Sequence, residues 1–118
     1  MKTNKDKFET CPISTAQTII GGKWTLSILF HLRTGVLRFG ELNRRLPEVT
    51  QSTLTKELRG LEGYQLIKRK VYAEVPPRVE YSLTEIAIKL LPVLEELSKW
   101  SGEYNQYVKN NKGEQEII

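Results

Sequence analysis

The chain has 118 residues, 39% of them hydrophobic, which supports one domain with a single modest core and excludes a multidomain enzyme. Its 18 Lys and Arg against 14 Asp and Glu give a formal charge of +4, so an anionic partner is expected, nucleic acid ahead of a membrane surface. One cysteine rules out an internal disulfide, and one histidine with one cysteine cannot make a zinc site from nitrogen and sulfur ligands alone. No apolar run is long enough to span a bilayer and the N-terminus lacks the apolar core of a signal peptide, so a soluble, cytoplasmic chain without metal or cofactor is expected.

Charge is segregated along the chain: residues 1–32 carry +2, residues 33–80 carry +4 and residues 81–118 carry −2. Residues 1–10 are polar and predict a mobile N-terminal arm; one domain follows over 11–108, then a flexible tail over 109–118. Cys11-Pro12 opens a first helix with Ile13, Ala16 and Ile20 at helical spacing, ended by Gly21-Gly22. Lys23 to Leu32 forms a second helix through Trp24, Ile28, Leu29 and Leu32. Phe39, Leu42 and Leu46 make a short amphipathic helix closed by Pro47. Thr50 is placed to cap a fourth helix running to Gly63, with Leu54, Leu58 and Leu61 on one stripe and Ser52, Thr55, Lys56 and Arg59 on the opposite face.

Leu66 to Glu74 and Arg78 to Ser82 are rich in Val, Ile and Tyr and read as a two-stranded wing with Pro76-Pro77 at its tip. Ser82-Leu83-Thr84-Glu85 fits a capping box ahead of a long helix to about Lys99, with a second segment to Val108. Ala87, Leu90, Leu94, Leu97 and Tyr104 approximate a heptad seam on that helix, and Ile86, Val93, Trp100 and Tyr107 recur every seventh residue on an adjacent face. One small core cannot cover both stripes, so a second copy of the chain is expected.

The fold class is therefore mainly α with a small β-hairpin (α+β): a winged helix-turn-helix with additional N- and C-terminal dimerisation helices. A helix that enters the major groove must be apolar inside and short-polar or cationic outside, because base edges offer hydrogen-bonding groups and the flanking phosphates demand cations. The helix from Thr50 to Gly63 meets both conditions, with Gln51, Ser52, Thr53, Thr55, Lys56 and Arg59 as candidate contacts to double-stranded DNA. Arg38 at the start of the short helix and Lys68, Arg69, Lys70 and Arg78 of the wing are placed for the adjacent backbone, although Arg38 could equally pair with Glu41.

Cys11-Pro12, Gly21-Gly22-Lys23-Trp24, Arg38-Phe39-x-Glu41-Leu42, Leu54-Thr55-x-x-Leu58-x-x-Leu61 and the run from Val75 to Thr84 (VPPRVEYSLT) closely resemble the HxlR-type bacterial transcriptional regulators, relatives of the MarR group. The resemblance covers about residues 11 to 100. It implies a homodimeric DNA-binding regulator, a repressor by default, acting on a pseudo-palindromic operator. Dimer contacts would come from the terminal helices, here Ile13, Leu94, Leu97, Trp100 and Tyr104. The chain departs from the family at Gln65 and Ala87, where glycine is customary, and Gly63 is a substitute source of the positive φ that ends the fourth helix.

Cys11 has two readings: a small buried hydrophobe, or a thiolate stabilised at a helix N-terminus near Lys5 and Lys7. Some members of the family use a cysteine here as a redox or electrophile sensor, so the resemblance implies an oxidant or small-molecule effector. The sequence also admits two rival readings. In one, a winged-helix protein-interaction module uses the Ile86, Val93, Trp100 and Tyr107 face without sequence-specific DNA binding. In the other, Cys11 is an enzymatic nucleophile, for which no base is placed in sequence.

Overall fold

The structure, a computed structural model, describes residues 11–112; the expected arm over 1–10 and positions 113–118 of the expected tail lie outside the described residues. Helix α1 spans Pro12–Ile20, with Pro12 in the first turn where a missing N–H breaks no helical bond. It stops at Gly21, where a Cβ would collide with the carbonyl oxygen of Gln17. Helix α2 is Thr25–Leu32, starting two residues later than Lys23 because Trp24 takes the N-cap position. Gly35, at φ +132°, then turns the chain into strand β1, Leu37–Arg38. Helices α3 (Phe39–Arg45) and α4 (Gln51–Gly63) follow, then strands β2 (Ile67–Tyr72) and β3 (Arg78–Leu83), and helix α5 (Glu85–Asn110).

The architecture is mainly helical with a small antiparallel sheet, as the sequence predicts, but the sheet has three strands in the order β1-β3-β2 rather than two. The added strand pairs Leu37 with Tyr81 and Arg38 with Glu80. The capping box expected at Ser82 does not form. Pairing of β3 with β2 continues to Leu83, opposite Ile67, and holds Ser82 in extended backbone. Thr84 caps α5 instead: its hydroxyl oxygen accepts from the Ala87 N–H at 3.3 Å and the hydroxyl donates to the Gln65 carbonyl at 2.8 Å. No break occurs near Lys99; α5 is one helix of 26 residues that passes through Pro92.

Leu54, Leu58 and Leu61 of α4 are buried together with Ile28, Leu29 and Leu32 of α2, Leu42 of α3, and Ile67 and Tyr81 of the sheet. At about 1.5–3 kcal/mol for each large side chain withdrawn from water, this leucine stripe is the main force fixing the rotation of α4 about its axis. Helix α5 adds Ala87 and Leu94 to the same core, and Leu90 and Leu91 pack against it.

The end of α4 corrects the sequence reading at Gly63. That residue keeps ordinary helical geometry, and Gln65 itself adopts the left-handed conformation at φ 62°. Its N–H donates to the Glu62 carbonyl at 2.9 Å and the next N–H, of Leu66, reaches back to Leu61 at 2.9 Å. These two bonds are a Schellman motif, with Leu66 buried alongside Leu61 as its apolar contact. A left-handed residue with a Cβ costs roughly 1–2 kcal/mol. Gln65→Gly should therefore raise stability by about 0.5–1 kcal/mol in chemical denaturation, part of the relief being lost to the greater freedom of unfolded glycine. Gly63→Ala, with open space around a new Cβ, should not destabilise. A loss of stability in both variants would show that the turn is built otherwise.

Candidate nucleic-acid interface

Helices α3 and α4 are joined by a turn that the core holds from below and a side chain clamps from the side. Leu46 and Val49 are buried, and the Asn43 side-chain amide donates to the Val49 carbonyl at 3.0 Å. Thr50 begins α4 in extended backbone, its hydroxyl oxygen accepting from the Thr53 N–H at 3.1 Å. With the leucines inward, Gln51, Ser52, Lys56 and Arg59 emerge on the solvent side of the helix. Thr53 and Thr55 are half-buried and fixed in place: Thr50 donates to the Thr53 hydroxyl at 3.0 Å, and Thr55 donates to the Gln51 carbonyl at 2.9 Å. Lys56 and Arg59 form no ion pair among the described residues.

The wing lies beside this face and is tied to it. Arg69 Nε sits 3.3 Å from both carboxylate oxygens of Glu62, linking β2 to the last turn of α4. Strand register places Arg38, Glu80 and Lys70 side by side across the three strands, with Lys68 and the Tyr72–Arg78 pair on the same face of the sheet. Arg38 does not pair with Glu41 through its guanidinium; Glu41 accepts the Arg38 backbone N–H at 2.8 Å and so caps α3, leaving the Arg38 side chain exposed. A cleft of about 430 Å³ separates Arg38, Phe39 and Gly40 from residues 74–79 of the wing.

Arg78 differs from the expectation of a free cation. It is half-buried, 3.3 Å from Glu74 and 3.5 Å from Glu80, with its guanidinium 3.9 Å from the centre of the Tyr72 ring. The sequence signal was present in the alternation of the hairpin, which sets Tyr72 opposite Arg78 once the ends of the two strands are known.

Two further surfaces bear on the expected site residues. On α5, Leu94 is 5% exposed and belongs to the chain's own core, so it offers almost no surface to a second copy. Leu97, Trp100 and Tyr104 are exposed, as is Ile13 of α1, and Trp100 stacks on Tyr104 at 5.3 Å. The seven-spaced Ile86, Val93 and Tyr107 are exposed as well. Cys11 is exposed rather than buried and occupies the N-cap position of α1. The Ser14 hydroxyl donates to its sulfur at 3.2 Å; with the Ser14 backbone N–H, this holds the thiol pKa below its ordinary value. Lys5 and Lys7, expected to assist, lie outside the described residues. Among the described residues no helix is long and apolar enough to cross a membrane.

A helix pair joined by a tight turn, a polar and cationic outer face on the second helix, and an antiparallel wing beside it define a winged helix-turn-helix protein, a class that binds DNA through that second helix. The family described as HxlR-like helix-turn-helix matches residues 19–109, and the chain belongs to it. It is 48% identical over 101 residues to an uncharacterized HTH-type transcriptional regulator of Methanothermobacter thermautotrophicus, an overlap covering 86% of this chain and 77% of the relative. Among solved structures it is similar to a MarR-family transcriptional regulator from Porphyromonas gingivalis W83, at 46% identity and a TM-score of 0.76, covering 80% of this chain and 93% of that one. It is also similar to the redox regulator HypR in its reduced form, at 37% identity and a TM-score of 0.81, covering 85% of this chain and 99% of that one.

The Cys11 geometry carries its own test. The rate of alkylation by iodoacetamide should rise through a midpoint below that of an unstructured cysteine peptide, and Ser14→Ala should move the midpoint upward. An unchanged midpoint in Ser14→Ala would assign the shift to some other cause.

Proposed function

We propose that this chain is a cytoplasmic, homodimeric, sequence-specific regulator of transcription, acting as a repressor on a pseudo-palindromic operator and responding to oxidants through Cys11. The observation that carries the reading is the outer face of α4, where Gln51, Ser52, Lys56 and Arg59 stand exposed opposite a fully buried leucine stripe. Placed in a major groove, Lys56 and Arg59 reach base edges or flanking phosphates, and Gln51 and Ser52 meet bases from the N-terminal turn. Thr53 and Thr55 line the same approach. Arg38 and Lys70 serve the flanking backbone from one face of the sheet. Binding, not turnover, is the activity.

The homodimer rests on the apolar surface of the terminal helices. Ile13, Leu97, Trp100 and Tyr104 are exposed on a single chain, and their burial against a second copy removes a surface that a lone subunit would leave in water. The oxidant response rests on the exposed, thiolate-favouring setting of Cys11 and on the likeness to a protein described as a redox regulator. A helix that begins at the modified residue and packs in the dimer would shift the separation of the two α4 helices, which must match half-sites about 34 Å apart.

Lys56→Ala and Arg59→Ala should each weaken binding to a selected duplex while leaving thermal unfolding unchanged. A residue that reads a base should cost about 1–3 kcal/mol and relax specificity at one position; a residue on phosphate should weaken all sequences alike and lower the salt slope by about one. Full affinity in both variants would remove α4 from the interface. Wild type and Cys11→Ser, compared before and after mild oxidant, should differ in that only wild type releases the duplex. Equal behaviour of the two would leave Cys11 without a sensory role.

A further inference from the structure

The wing carries four exposed or half-buried cations in β2 and β3, and their surroundings divide them. Lys68 and Lys70 are exposed and make no ion pair among the described residues. Arg69 is held by Glu62. Arg78 alone meets two carboxylates and an aromatic ring: Glu74 Oε2 lies 3.3 Å from one terminal nitrogen, Glu80 Oε2 lies 3.5 Å from Nε, and the Tyr72 ring centre lies 3.9 Å from the guanidinium carbon. Its Nε is buried without a hydrogen bond. The Lys70 ammonium reaches the same Tyr72 ring at 4.9 Å.

These contacts have a topology as well as a charge. Tyr72 is the last residue of β2 and Arg78 the first of β3, paired across the ladder, and Glu74 stands in the loop between them. One guanidinium therefore spans the end of β2, the loop and β3. A cation already balanced by two carboxylates and packed on a ring has little free charge to offer a phosphate, and turning it outward would strand Glu74 and Glu80 facing the DNA.

We propose that Arg78 is a positioning residue: it locks Tyr72, Glu74 and Glu80 into one cluster that fixes the wing, and Lys68 and Lys70, held at its edge, make the backbone contacts. The inference rests on the DNA-binding reading above and refines which wing residues serve it. It has a consequence that charge alone does not allow. Removing an acid from a DNA-binding surface strengthens binding electrostatically, whereas Glu74 and Glu80 here support binding by holding the wing.

The test uses the full chain and a duplex of about 30 base pairs selected from a random pool by the wild-type protein, with affinity measured across a salt series. Arg78→Ala combined with Glu80→Gln keeps the net charge. It should lose affinity about tenfold with no change in the salt slope, whereas Lys70→Ala should lower the slope by about one. Glu74→Gln, an exposed change in the loop that leaves the core untouched, should weaken binding severalfold. Tighter binding by Glu74→Gln, or a slope lowered by about one in the charge-neutral double variant, would make Arg78 a direct phosphate contact and overturn the proposal. If the wild-type chain selects no duplex at all, the DNA-binding reading fails first and this inference fails with it.

Discussion

Burial of the α4 leucines is the constraint on which the rest of the molecule depends. Leu54, Leu58 and Leu61 are each no more than 2% exposed, and their transfer from water is worth about 5–9 kcal/mol in sum, comparable with the net stability of a small domain. Rotating α4 by about half a turn would expose that stripe and bury Ser52, Lys56 and Arg59. The ion pairs around it cannot compete, since partly exposed pairs such as Arg69–Glu62 contribute about 0–1 kcal/mol. Packing thus decides which side chains face outward, and electrostatics only selects what that face can bind.

Helix α5 divides along its length in a way that follows from the same core. Its first half sends Ala87 and Leu94 inward with the α4 leucines. Beyond Leu94 the apolar side chains emerge: Leu97, Trp100, Tyr104 and Tyr107 are exposed among the described residues. Charge separates α5 from the winged-helix elements before it: the segment over 33–80 holds about +4, and the segment over 81–118 holds about −2. The proposed DNA face and the proposed dimer face are separate surfaces, so a change at α1 or α5 acts on DNA binding only through geometry.

Much of this was legible because periodicity records burial. The leucine spacing in α4, the Pro12 start of α1 and the apolar stripes of α5 follow from rules of 3.6-residue geometry that hold without knowledge of the partner surface. Features set by tertiary pairing were not legible. Two residues, Leu37 and Arg38, become a strand only because β3 offers a free edge. Ser82 loses its expected cap because β3 pairs one residue further than the sequence pattern suggests, and Thr84 gains the role through a bond to Gln65, nineteen positions away. The left-handed Gln65 contradicts the residue preference that pointed to Gly63. Of the site residues on α4, Gln51, Ser52, Lys56 and Arg59 emerge at the surface while Thr53 and Thr55 stay half-buried; Leu94 is drawn into the core, and Arg78 is engaged by Glu74 of the loop and by Glu80, two positions along the same face of β3.

The central claim is that α4 of each of two subunits occupies a major groove. Protection of guanine N7 from methylation on a selected duplex tests it directly, because that atom lies on the floor of the major groove. The account predicts two protected clusters, about one helical turn apart, which disappear together when Lys56 and Arg59 are both replaced by alanine. A single protected cluster, or tight binding with every N7 still reactive, would contradict it.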